Sequence, residues 1–197
     1  MDRPSRREAG FTIVEVLVAI LILVIGALAT FGLLSDAIRN TQRAKGTQVA
    51  LDRAQQEIEA LRSLPYKQLA LTATPAAETN RLSPDYRVLG GTFALVREPP
   101  SSYANMVVNG GALYGGGAVK GGVVNPGPEP FSSGDVGGKI YRYVVWRNDE
   151  KCGTSCPGEQ DFKQIVVAVK LDKRSNEPGE RGYVEVQSDF VDPTRGP

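Results

Sequence analysis

The apolar positions of the chain follow three successive patterns, which change near residue 34 and again near residue 65. From residue 16 to residue 29 every side chain is apolar or Gly, and residues 31–34 extend the run past Thr30. About 19 positions are thereby available, close to the roughly 20 that a membrane-spanning helix needs. Glu15 stands at the start of this run. A carboxylate at membrane depth costs roughly 2.5 kcal/mol or more, so this residue calls for a partner or a task. Beyond residue 34 the pattern becomes amphipathic. Thr47, Leu51, Ala54, Ile58 and Leu61 recur at spacings of four and three, which places them on one helical face, while Arg53, Gln55, Gln56, Glu59 and Arg62 fall largely elsewhere. Pro65 disfavours helical geometry at Leu64 and sets the predicted end. A helix over residues 11–64 would hold 54 residues and run about 80 Å. Gly26, Gly32 and Gly46 weaken it by up to roughly 1 kcal/mol each.

The third pattern is that of strands. "KIYRYVVWRND" (139–149) is rich in aromatic and β-branched residues; "KQIVVAVKLD" sets Ile165, Val167, Val169 and Leu171 on one face; "YVEVQSDF" sets Val184, Val186 and Phe190 on one face. These predict an antiparallel meander. "DYRVLGGTFALVRE" (85–98) offers one or two further strands, with Gly90 and Gly91 as a turn or bulge. The predicted fold class is α+β: a long N-terminal helix, hydrophobic then amphipathic, packed on an antiparallel sheet with which it shares one core. Residues 65–197 form the predicted head. Within it, residues 109–138 hold 11 of the 22 glycines together with Pro126, Pro128 and Pro130, a composition that predicts a long surface loop without regular elements. Tyr114 and Phe131 are the side chains there that could touch a ligand.

Composition changes this picture chiefly by exclusion. The 197 residues suit one moderate domain plus an appendage, and 41% hydrophobic with 23% charged content is ordinary for a folded protein. The net charge of +1 implies no strong field for nucleic acid. The absence of histidine excludes Ser-His and Cys-His nucleophile pairs and imidazole metal ligation. "GDVGGK" (134–139) resembles a phosphate-binding loop but is one residue short between its glycines and ends before Ile140, where Ser or Thr is needed. No G-x-S-x-G or S-x-x-K motif is present. Asp189 and Asp192 lack calcium-loop spacing and read as solvated surface. Cys152 and Cys156 are separated by three residues, not the two of redox motifs, and two thiols without histidine cannot complete a tetrahedral zinc site. No cofactor is called for.

The N-terminus admits three interpretations. Arg3, Arg6 and Arg7 before the apolar run, with Ala27-Leu28-Ala29 inside it, fit a secretory signal peptide. A plain signal anchor is the second, and a prepilin leader that is cut off while the helix is kept is the third. Charge does not orient the span, because Arg39, Arg43 and Lys45 follow it. Gly10 followed by "FTIVEVLVAILIL" resembles the processing and methylation motif of type IV pilins and pseudopilins: a Gly before the cut, a Phe as the new N-terminus, a Glu four residues on. With "AQQEIEALRSLPY" (54–66) the chain looks most like minor pilins of the type IV pilus modification class. It departs from many major pilins in having Gly32 where they carry a helix-breaking Pro.

The resemblance implies a leader of residues 1–10, cleavage after Gly10 by a prepilin peptidase, methylation at Phe11, and a membrane or filament-core half over residues 11–34. Glu15 would pair with the new amine, within its own chain or on an adjoining subunit; a buried carboxylate and ammonium are tolerable mainly as a pair. The implied partners are the peptidase, other pilin subunits, the assembly machinery and the inner membrane, with an extracytoplasmic head; no nucleic acid partner is expected, because the charge is balanced and no basic aromatic patch is present. In that compartment Cys152 and Cys156 should be oxidised to a disulfide, which shapes a loop more than it holds the fold, contributing roughly 2 kcal/mol at most. A type II secretion pseudopilin and a membrane-anchored extracytoplasmic enzyme or binding domain stand as alternatives to a non-enzymatic minor pilin.

Overall fold

The computed structural model of the protein describes residues 12–95, 103–113, 116–148, 160–172 and 182–192. Gly10, Phe11, Tyr114, Cys152 and Cys156 lie outside these residues. The chain divides into two compact units, Met1–Ala44 and Lys45–Pro197, and helix α1 (Ile13–Arg62) begins in the first and ends in the second.

In the first unit α1 is unbroken through Gly26 and Gly32, and no atom comes within 4 Å of where a Cβ would stand on either. None of its spanning apolar stretch is buried within the protein. Thr30, the polar interruption of the run, bonds its hydroxyl back to the carbonyls of Gly26 and Ala27 at 3.0 and 2.8 Å, which removes most of its cost in an apolar medium.

In the second unit the end of α1 lies on a four-stranded antiparallel sheet ordered β4-β5-β6-β7. These strands are β4 (Glu129–Ser133), β5 (Val136–Arg147), β6 (Phe162–Leu171) and β7 (Tyr183–Phe190). The predicted meander is present. So are its faces: Ile140, Arg142, Val144 and Trp146 of β5 register with Val169, Val167, Ile165 and Lys163 of β6, and these with Val184, Val186 and Phe190 of β7. The helix meets this face, as Arg142 bonding Glu57 and Leu171 lying against Gly46 demonstrate. The buried helix positions are Ala50, Ala54, Ile58 and Leu61. Leu51, expected inward, is 38% exposed. A Cβ on Gly46 would come within 3.3 Å of Leu171, so the helix sits close to the sheet and its inward ridge takes Gly46, Ala50 and Ala54 rather than Leu51. The helix ends at Arg62, two residues before the predicted Leu64.

The opposite face of the sheet is also covered. A small sheet of β1 (Val88–Leu89), β2 (Thr92–Ala94) and β3 (Tyr103–Asn105) brings Phe93 into a stack on Tyr143 with ring centres 4.2 Å apart. Gly90 and Gly91, with φ of 51° and 88°, form the two-residue turn between β1 and β2 that the sequence suggested. The expectation of no regular element over residues 109–138 is corrected, because β4 and the start of β5 lie there, joined by a tight hairpin at Gly134 and Asp135. Pro130 is tolerated because β4 is an edge strand. "GDVGGK" is therefore turn and strand, and Gly138 is required by close contact with the Lys170 carbonyl and the Phe131 ring. Phe131 packs against the core.

Candidate functional site

Glu15 is the predicted assembly residue that the structure describes, and it lies in the first turn of α1, exposed. The local sequence explains where that turn begins. Thr12 precedes the helix, and its hydroxyl oxygen accepts a hydrogen bond from the Glu15 backbone N–H at 3.3 Å. The Val16 N–H reaches the Thr12 carbonyl at the same distance. Thr12-Ile13-Val14-Glu15 thus has the T-x-x-E form of a helix-capping box. An acidic side chain there also faces the positive end of the helix dipole. The spacing of Thr12 and Glu15 could have revealed this role from the sequence. Among the described residues no cation lies within ion-pair distance of the Glu15 carboxylate, which leaves it available to a positive group from elsewhere.

The head contains buried polar links that sequence reasoning missed. Arg142 donates to Glu57 of α1 at 2.8 and 2.6 Å and to Glu129 of β4 at 2.6 Å. Arg53 holds the other Glu57 oxygen at 2.7 Å. Breaking one partner of such a buried pair leaves an uncompensated charge, so this group fixes where α1 crosses the sheet. On the other face Tyr143 donates to Asp85 at 2.6 Å. Burial raises the pKa of Asp85, opposed by that hydrogen bond, and burial followed by the Asp85 charge pushes the Tyr143 phenol well above its ordinary value. Arg87 is sandwiched between Glu185, the Ala94 and Leu95 carbonyls and the Phe93 ring. Asp189 accepts a hydrogen bond from Gln164 at 2.9 Å. These contacts join elements to one another and act as structural ties.

A long helix with an exposed apolar first half, continuing into a helix packed on an antiparallel sheet, defines a pilin-like α+β architecture. Residues 5–31 match the family model described as the prokaryotic N-terminal methylation motif, and Gly10, Phe11 and Glu15 all fall in the matched segment. The chain therefore carries a prepilin-type N-terminus of the kind that type IV pilins and pseudopilins share, which implies processing by a prepilin peptidase and assembly with other such subunits. The motif and the apolar helix, the one long and apolar enough to cross a membrane among the described residues, fit a single-pass membrane-anchored protein and point to a structural subunit. No curated protein and no solved structure gives a significant match to the chain.

Proposed function

We propose that the protein is a non-enzymatic minor pilin of a type IV pilus, held in the inner membrane with its head extracytoplasmic until the assembly machinery draws it into the filament. The observation that carries this reading is the coincidence of the methylation motif over residues 5–31 with an apolar helix whose spanning stretch is unburied. Such a helix needs lipid or the helices of other subunits around it. The peptidase would cut after Gly10 and methylate the amine of Phe11, and Glu15 would pair with that amine as a register mark while apolar flanks supply non-directional packing. Mass spectrometry of the native N-terminus tests the processing. Recovery of the protein in sheared surface filaments tests the location; its absence there, with a secretion defect in a deletion strain, would favour a type II secretion pseudopilin.

The same extracytoplasmic placement predicts a disulfide between Cys152 and Cys156. Both thiols should resist alkylation until a reductant is added. Immediate labelling of both in the native protein would contradict the pairing.

A further inference from the structure

The head carries a cavity of about 400 Å³ for which the assembly reading has no use. Tyr66 and Trp146 contribute aromatic wall, Lys163 lies among the lining residues, and the exposed Lys67 and Lys120 stand at its edge. Lys163 is only 3% exposed although it ends in an ammonium. Two of its N–H groups go to the carbonyls of Tyr66 and Leu69, at 2.6 and 2.8 Å. Its charge lies 4.3 Å from the Tyr66 ring centre and 5.3 Å from that of Trp146. An ammonium has three donors, and among the described residues the third has no hydrogen-bond acceptor. Among the described residues, three lysines and one carboxylate, Asp192, line the cavity, a balance that favours a negative guest.

We infer that this cavity binds a small organic anion, whose carboxylate accepts the third Lys163 N–H under the attraction of Lys67 and Lys120 while a flat apolar body lies against Tyr66 and Trp146. The volume falls within the range of small-molecule sites, which are typically apolar with a few placed polar groups. Burial already pushes the Lys163 ammonium down to about 8, with Asp192 opposing the shift. An incoming anion offsets that desolvation. A neutral guest of the same shape does not.

The test is independent of filament assembly, because it reads the isolated full-length chain in detergent micelles. Trp146 is the sole tryptophan, so its fluorescence reports on the cavity directly. Benzoate serves as the anionic probe and benzamide as its neutral isostere. Benzoate should give a saturable change with an affinity about tenfold or more above that of benzamide, and the double variant Lys67→Ala/Lys120→Ala should weaken benzoate about fivefold. Because both substituted lysines are exposed, that variant should keep the parent's thermal unfolding. Equal binding of benzoate and benzamide, full benzoate affinity in the double variant, or no saturable change would each overturn the inference.

Discussion

Glu15 answers to two demands at once. Locally it completes the capping pattern begun by Thr12, whose hydroxyl accepts the Glu15 N–H, and glutamine serves at that capping position as glutamate does. Remotely, on the hypothesis of a pairing with the processed amine, only the charge serves. Glu15→Gln therefore separates the two roles: cleavage after Gly10 should persist and the first turn should hold, while incorporation into filaments should fall. Glu15→Ala should fall too, with membrane insertion intact or improved because a polar burden leaves the span. Should both variants enter filaments as efficiently as the parent, by immunoblot of sheared pili, the carboxylate is no assembly contact. Lys163 gives a second prediction at this scale. Its folded pKa of about 8 lies below its ordinary 10.5, so above about pH 8 the native state releases that proton while the unfolded chain still holds it, and stability rises with pH. Tyr143, raised above its ordinary 10.0, works in the opposite sense: beyond about pH 10 the unfolded chain loses its phenolic proton first and stability falls. Urea midpoints should climb between about pH 8 and pH 10 in the parent, and Lys163→Met should lose that slope. An equal slope in both would refute the assignment.

At the scale of elements, the close seating of α1 on the sheet depends on small side chains. Ala50 and Ala54 are fully buried, whereas Leu51 is partly exposed. Ala54→Leu should therefore destabilise the head by about 1–3 kcal/mol through overpacking, while Leu51→Ala should cost clearly less, roughly 1 kcal/mol at most. Chemical unfolding of the two variants checks this, and a larger loss at Leu51 would put the inward ridge on the wrong side. The same comparison explains what the sequence disclosed. The inward face of β7 was legible because Val184 and Val186 alternate with polar residues, whereas β6 was legible as a strand by its apolar run Ile165–Val169, which is buried on both faces. The helix ridge was only partly legible, since pattern reading ranks Leu above Ala and cannot anticipate how near two elements approach. Arg142 and Lys163 drew no comment from the sequence pattern; their inward direction follows from register with Val167 and Trp146, which only the paired sheet displays. β4 was hidden by its Gly- and Pro-rich surroundings, because composition does not reveal that an edge strand can carry Pro130. At the candidate site, Gly10, Phe11 and Glu15 stood out by spacing, whereas the T-x-x-E spacing of Thr12 and Glu15, equally present in the sequence, was passed over because it lies at the edge of the apolar run.

At the scale of the whole molecule, the two units have different physical requirements. The second holds its own core, with side chains from α1, both sheets and the connecting segments buried together. The first buries none of its spanning apolar stretch, and a prepilin-type motif over residues 5–31 accounts for how such a segment would be used: its leader removed, its helix kept for lipid and then for neighbouring subunits. The hypothesis of processing at Gly10 underlies the assembly role of Glu15, the placement of the head and the expected state of the cysteines. Intact-mass and N-terminal peptide analysis of the protein from its native membrane tests it most directly. The account predicts a chain that starts at Phe11 with one added methyl group on its amine; a chain that starts at Thr30, after Ala27-Leu28-Ala29, or one that keeps Met1, would contradict it.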